Sequence, residues 1–311
     1  MSSGPHTHEL TDDAAAAIRS GDDLWRAKLA RKKHFISHHA ALEIRCQLDE
    51  ALERYPTSGD DHLLIVGDPG MGKTQLIDWF RKDHTLQPSQ VERSLERPVL
   101  STGLISGSPR GFLGGILEDL GVHYSSSSAS DVLYPLVLRL FKRLRVRVLL
   151  IDELHHAVIG NRDDRAKLFA AIKQLGNDLG ITIVACGTAQ ALLALQYDPQ
   201  LERRFQPVAL QRWRNDEDGW AFLNSIEMTL PLPEPSSLSD EAMAPWIFDQ
   251  AEGLTGEIDR LVRLAAVRAI KAGRPCIDLQ FLRSTPWTRP SQRRESASRA
   301  LAVGRPVPAR L

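Results

Sequence analysis

The densest chemical signal in the chain is Gly67-Asp68-Pro69-Gly70-Met71-Gly72-Lys73-Thr74, followed by Gln75. Its spacing, G-x-x-x-x-G-K-[ST], lets backbone N–H groups turn inward around an anion while the next helix adds the positive end of its dipole. Lys73 is placed to reach the β- and γ-phosphates of a nucleoside triphosphate, and the Thr74 hydroxyl to ligate magnesium. A plain glycine-rich turn is the competing reading. The context argues against it, because the stretch follows the apolar run His62–Val66 and opens an amphipathic segment.

A second piece is Arg147-Val148-Leu149-Leu150-Ile151-Asp152-Glu153. An apolar strand ending in two acids sets Asp152 beside the magnesium and leaves Glu153 to polarise the attacking water as general base. Paired acids also favour helix N-termini, but the phosphate loop upstream favours the hydrolytic reading. The strand Ile181–Cys186 leads into Gly187-Thr188, where ATPases of this class place a polar residue that senses the γ-phosphate. Thr188 equally suits the N-cap of a helix over Ala189–Leu195, and the two roles are compatible. In Asp198-Pro199-Gln200-Leu201-Glu202-Arg203-Arg204-Phe205, an arginine at a subunit edge could stabilise transition-state charge in a neighbour's site. Arg204 is the first choice and Arg203 the second; a surface arginine pair is the bland alternative. The catalytic set read here is therefore Lys73, Glu153 and Arg204.

These residues need a scaffold that brings strand ends together. Short apolar runs at Pro98–Ser101, Val146–Ile151, Ile181–Cys186 and Pro207–Leu210 read as further strands, with helical periodicity between them, as over Asp131–Leu144 and at Leu168, Ile172, Leu175 and Leu179. A helix is also expected over 40–55. Strands alternating with helices imply an α/β fold with a parallel sheet between helices. After Trp213 the strands stop, and helices near 215–229, 239–251 and 256–272 imply a small all-helical domain. The expected organisation is a mobile segment over 1–34, the α/β domain over 35–212, the helical lid over 213–282, and a flexible tail over 283–311. That tail is Pro-, Ser- and Arg-rich, with seven arginines against Glu295 alone.

Lys+Arg and Asp+Glu both number 39, so there is no global basic field and any nucleic-acid contact must be local. Cys46, Cys186 and Cys276 match no disulfide or zinc spacing, and no apolar run is long enough to cross a bilayer, so a soluble cytoplasmic protein is expected.

The chain resembles the AAA+ ATPases and, within them, the TniB family of transposition ATPases, relatives of TnsC. The likeness runs from about Phe35 to Trp287. Beyond the two Walker elements it rests on Leu154-His155-His156, Gly187-Thr188-Ala189-Gln190-Ala191, Asp198–Phe205 and Ala251-Glu252-Gly253-Leu254-Thr255-Gly256-Glu257-Ile258. It implies an ATPase that is slow and assembly-dependent, uses ATP and Mg2+, and forms a ring or helical filament on double-stranded DNA. It further implies a link between a transposase, a TniQ-like adaptor and the target, with hydrolysis controlling disassembly. One departure stands out. Many AAA+ proteins place a sensor 2 arginine three residues after a lid glycine; here Gly256 is followed by Glu257-Ile258-Asp259, with Arg260 and Arg263 beyond. Asp259 cannot contact a γ-phosphate favourably, so sensor 2 is absent or displaced.

Other signals carry less. His34, His38 and His39 lack matching metal-ligand spacing, and packing histidines are the commoner case. His155 and His156 do not form H-E-x-x-H and are read as support for the nucleotide site. Arg139, Lys142, Arg143, Arg145 and Arg147 form one basic cluster and the tail another; both compete with the reading of a solvated charged face. The loop Gly103–Gly111 could face a ring's channel and let Arg110 meet phosphates. A remodelling ATPase acting on a protein, without a DNA role, is the alternative function; a nucleotide-binding scaffold that hardly hydrolyses is a third.

Overall fold

In the computed structural model, residues 10–57, 61–84, 96–159 and 161–303 are described. In chain order they begin with α1 (Asp12–Ser20), α2 (Asp23–Ala30), α3 (His39–Glu53), β1 (His62–Gly67), α4 (Lys73–Asp83), β2 (Val99–Gly103), α5 (Pro109–Asp119) and α6 (Ser130–Leu144). Next come β3 (Val148–Asp152), a 3-10 turn (Leu154–Val158), α7 (Arg162–Leu179), β4 (Thr182–Gly187), α8 (Ala189–Leu195), α9 (Pro199–Glu202) and β5 (Phe205–Leu210). The remainder is helical: α10 (Glu217–Glu227), α11 (Ala244–Ala251), α12 (Thr255–Lys271), α13 (Leu279–Arg283) and α14 (Pro290–Val303). The chain divides into one unit over His39–Gln211 and another formed by Met1–His38 and Arg212–Leu311. Among the described residues no helix is long and apolar enough to cross a membrane.

The first unit is built on a parallel sheet in the order β2-β3-β4-β1-β5. Strands β1, β3 and β4 are continuous apolar runs because helices cover both of their faces, and β4 is buried throughout. Strand β5 lies at an edge, exposes its middle and tolerates Pro207, whose missing N–H would interrupt a central ladder. The reading of the sequence began β5 two residues late for that reason. Side chains of Phe112 (α5), Phe141 (α6) and Phe169 (α7) pack with Leu149, Ile151 and Ile183 in one buried cluster. Burial of each such side chain contributes about 1.5–3 kcal/mol. Because all five strands run the same way, Gly67, Gly103, Asp152, Gly187 and Leu210 gather at one edge of the sheet. His62, Val99, Val148, Thr182 and Phe205 lie at the other.

The second unit is all helical. Phe222, Leu223, Ile226, Ile247, Leu261, Val262 and Ala265 form its core, and Ala27 and Ala30 of α2 belong to it. Buried Arg263 joins α12 to the N-terminal helices: its guanidinium donates to Asp259 Oδ1 at 2.6 Å, Ala30 O at 3.3 Å and Thr229 Oγ1 at 3.2 Å. The Pro-rich break after α10 folds around Glu227, whose carboxylate accepts the N–H groups of Ser236, Ser237 and Leu238 at 2.6–3.0 Å.

Two segments differ from the expectation. Within the stretch read as mobile, α1 and α2 are capped by Thr11 and Asp22, and α2 packs on α12. Ala14, Ala17, Ala27 and Ala30 are buried, and their small size lets helices meet there. Residues 1–9 lie outside the described residues. The tail likewise contributes α14, anchored by Arg289 to Asp249, Ser291 to Glu252 and Arg293 to Glu257. Arg289 and Arg293 of the tail therefore serve the helical unit itself. Residues 304–311 lie outside the described residues.

Candidate nucleotide site

The phosphate loop leaves β1 at Gly67, where a Cβ would stand 3.1 Å from Leu210 O, so a side chain there would crowd β5. Gly70 and Gly72 take φ of 85° and 86°, left-handed conformations that suit glycine. Gly72 is the N-cap of α4 and offers no side-chain cap, so the first-turn N–H groups of the helix keep their dipole end for an incoming anion. Lys73 is buried, and its Nζ donates to Gly67 O at 2.8 Å and Asp68 O at 3.0 Å, bracing the loop from within.

Across from it, Thr74 Oγ1 donates to Asp152 Oδ2 at 2.7 Å, although 78 residues separate the two. Strand order explains the meeting. β4 lies between β1 and β3, and the register of the parallel strands brings the ends of β1 and β3 to the same edge. A hydroxyl and a carboxylate converging beside a glycine-rich loop are the donor set of a hard divalent cation. The residues present therefore fit a magnesium-bound nucleoside triphosphate.

Glu153 follows with φ 59°, a left-handed conformation that costs a non-glycine residue on the order of 1–3 kcal/mol. Its N–H donates to Asp152 Oδ1 at 2.8 Å, and its carboxylate Oε2 lies 3.0 Å from His155 Nδ1. The adjacent His156 has its Nδ1 2.7 Å from Leu104 O, and the two imidazole rings sit 4.5 Å apart. Ligating atoms of Glu153, His155 and His156 gather within 4.8 Å of one another. Thr188 occupies the N-cap of α8, but its side chain makes no cap hydrogen bond. That hydroxyl stands at the end of β4, between Gly67 and Asp152 in the order of the sheet. Nearby Cys186 is fully buried; burial first, and then the Asp152 carboxylate, push its thiol well above the ordinary value.

Arg204 is not part of this cluster. Its carbonyl accepts from His62 N at 2.8 Å at the opposite edge of the sheet, and its Nη1 donates to Asn177 Oδ1 at 2.7 Å. Arg203 and Arg204 line a cavity of about 580 Å3 there, together with Arg54, Asp61 and Gln47. The basic candidates are divided as well. Arg110 lies at the start of α5, just beyond the Gly103 end of β2, exposed, with its guanidinium donating to Ser126 O and Ser128 O. Arg139, Lys142 and Arg143 are exposed on α6, which leads through Arg145 and Arg147 into the starting edge of β3. Arg145 pairs with Glu96 at 2.6 Å.

In the helical unit Arg263 is enclosed by its partners and Arg260 lies over the Trp287 ring, at 5.9 Å. His38 packs edge-on against Trp213 at 4.8 Å, a packing role. Burial, and then Arg263, lower the pKa of His34. Reading the sequence placed the phosphate loop and the acids but missed the contacts of the loop after β2. Nothing in the sequence Leu104-Ile105-Ser106-Gly107-Ser108 signals that Gly107 packs against backbone oxygens 50 residues away, at Ala157.

A family model for the bacterial TniB protein matches residues 26–215. No curated protein matches the chain. Among solved structures, the Aeropyrum pernix ORC2 protein in its ADPNP–ADP complexes aligns with a TM-score of 0.61 at 13% identity, covering 83% of this chain and 70% of that one. Cdc6p from Pyrobaculum aerophilum aligns at 0.56 and 14% identity, covering 80% and 67%. The Aeropyrum pernix ORC1 protein in complex with DNA aligns at 0.53 and 14% identity, covering 91% and 72%. At such identities the likeness establishes the fold alone, that of the P-loop AAA+ type.

Proposed function

We propose, the chain belonging to the TniB family, that it is an ATP-dependent, DNA-binding regulator of transposition. In this reading copies assemble on target double-stranded DNA in the ATP state, link a transposase and a TniQ-like adaptor to the target, and disassemble on hydrolysis. The observation that carries it is the split of the catalytic set: Lys73, Thr74, Asp152 and Glu153 stand at one edge of the sheet and Arg204 at the other. A site completed only by a second copy makes hydrolysis a property of the assembly. The DNA held by the Aeropyrum pernix ORC1 protein, a neighbour in fold, supports a DNA client for this one.

In this mechanism the N–H groups of Gly70–Thr74 and Gln75 cradle the phosphates, with Asp68, Pro69 and Met71 shaping the loop, and Lys73 leaves its two carbonyls to neutralise the β- and γ-oxygens. Magnesium, held by Thr74 and Asp152, would offset phosphate charge. Glu153 accepts a proton from the attacking water, the Thr188 hydroxyl reads the γ-phosphate, and Arg204 enters from the adjacent copy. Arg110 serves as the first candidate for duplex phosphates because it shares the edge of the nucleotide site; Arg139, Lys142 and Arg143 lie on the path to the other edge.

The test is assembly on random duplex viewed by negative-stain microscopy, with ATP, with ADP and without nucleotide. Rings or filaments requiring both ATP and duplex support the reading, and Glu153→Gln should hold them together after parent assemblies have dispersed. Particles indifferent to duplex would point to a remodelling ATPase with a protein client. A Glu153→Gln variant that disperses like the parent would sink the hydrolytic switch.

A further inference from the structure

The loop Leu104–Ser108, between β2 and α5, exposes Ile105 and is joined by three backbone-directed contacts to the stretch Asp152–Ile159 that carries Glu153. Leu104 N donates to Asp152 O at 2.9 Å, His156 Nδ1 lies 2.7 Å from Leu104 O, and Gly107 N donates to Ile159 O at 2.9 Å. A carbonyl can only accept, so His156 carries its proton on Nδ1. A fourth constraint is steric. A Cβ on Gly107 would stand 2.6 Å from both Ala157 O and Ile159 O, so the loop lies flat on the 3-10 turn with no room for a side chain.

That turn begins at Glu153. His156 N donates back to Glu153 O at 2.8 Å, and His155 Nδ1 sits 3.0 Å from Glu153 Oε2, at ion-pair distance though off a hydrogen-bond line. Behind His155, a Cβ on Gly187 would come within 3.4 Å of its backbone N, so the end of β4 closes in on that turn. Outward, the loop presents Ile105, 81% exposed, and Arg110 follows directly at the start of α5. An apolar tip beside a cation is thus tied through a closely packed turn to a carboxylate held in a strained backbone conformation.

We infer that His155 and His156 are positioning residues that couple the Leu104–Ser108 loop to Glu153, so that what touches the loop sets the rate of ATP hydrolysis. The inference rests on the duplex-binding reading above for the identity of what touches it. Duplex phosphates drawn to Arg110 would shift the loop, His156 would carry that shift into the turn, and His155 would release or capture the Glu153 carboxylate. Discrete alternative positions of a packed turn suit such coupling better than gradual deformation.

Steady-state phosphate release is measured with and without saturating random duplex for the parent, His156→Ala, His156→Asn and Gly107→Ala. ATP affinity comes from a fluorescent analogue and duplex binding from anisotropy. His156→Ala and Gly107→Ala should lower kcat about tenfold or more, the scale at which small misplacements of a catalytic group act. KM for ATP and duplex affinity should hold within about twofold of the parent, on the same positional argument. His156→Asn, whose amide can still donate to Leu104 O, should retain most of the parental rate, which separates coupling from misfolding. In the two disrupted variants the ratio of rates with and without duplex should fall towards one. Parental kcat and ratio in both would overturn the inference, as would losses confined to KM. If duplex leaves the parent's own rate unchanged, the duplex reading fails, while basal kcat of the two variants still decides the coupling.

Discussion

If Arg204 acts only across a subunit boundary, two inactive variants should restore each other. β1 runs from His62, whose N–H donates to Arg204 O, to Gly67 at the phosphate loop. Five steps at about 3.3 Å separate these ends by roughly 17 Å, well over twice the reach of an arginine side chain. The guanidinium moreover turns to Asn177, near the C-terminal end of α7. Arg204→Ala should therefore bind ATP normally and lose about 10^3-fold or more in kcat, as removal of a trans arginine does elsewhere. Glu153→Gln should be comparably inactive. In a random mixture with fraction x of Arg204→Ala, a site works when its phosphate loop belongs to that variant and its neighbour is Glu153→Gln. The working fraction is x(1 − x), so phosphate release should follow a parabola peaking near one quarter of the parental rate at equal amounts, given head-to-tail contacts. Mixing the double variant with parent should lower activity as the square of the parental fraction, with no peak at any ratio. A mixture no faster than the mean of its components, with both variants shown to assemble, would refute the trans assignment.

Arg263→Ala should destabilise the helical unit by about 3–5 kcal/mol, because it strands Asp259 and two further acceptors in a largely buried setting. Urea unfolding followed by tryptophan fluorescence reads this, and a change under about 1 kcal/mol would show that the network contributes little. Arg263→Lys should recover only part of the loss, since one ammonium cannot repeat the forked geometry. Maleimide at pH 8 should label exposed Cys46 first and Cys186 last, because burial holds the Cys186 thiol protonated well above its usual range. Mass spectrometry of peptides decides it, and early labelling of Cys186 would mean that the end of β4 opens readily.

Local chemistry was legible in the sequence where backbone demands and side-chain type coincide. Gly70 and Gly72 need left-handed backbone, Lys73 and Thr74 follow at the helix start, and strands buried on both faces read as unbroken apolar runs. Edge and interface features were not legible in the same way. β5 exposes its middle and contains Pro207, so its first two residues looked like loop. The N-terminal alanines carry no periodic signal by themselves and acquire meaning only against α12. Arg263 sits in helical register with Asp259 and looks like an ordinary surface pair; its burial depends on Ala30 and Thr229, more than 200 and about 30 residues away in sequence. The path from Leu104 to Glu153 runs through the His155 and His156 rings but meets the loop at backbone groups of Leu104 and Asp152, which no side-chain pattern reports.

The polarity of the sheet also bears on how DNA would be held. A chain with equal numbers of acidic and basic residues exerts no long-range pull on a polyanion, so one copy contributes only a few local contacts. Each phosphate contact releases counterions, and affinity rises steeply with the number made together. In the proposed assembly, head-to-tail stacking would repeat Arg110 at a fixed spacing and convert weak single contacts into one multivalent surface. Under the proposed reading, ATP, by bringing Arg204 of one copy to the triphosphate of the next, controls DNA affinity without any change at the DNA surface itself. Hydrolysis then removes the bridge rather than the contact, and release from DNA follows from loss of multivalency.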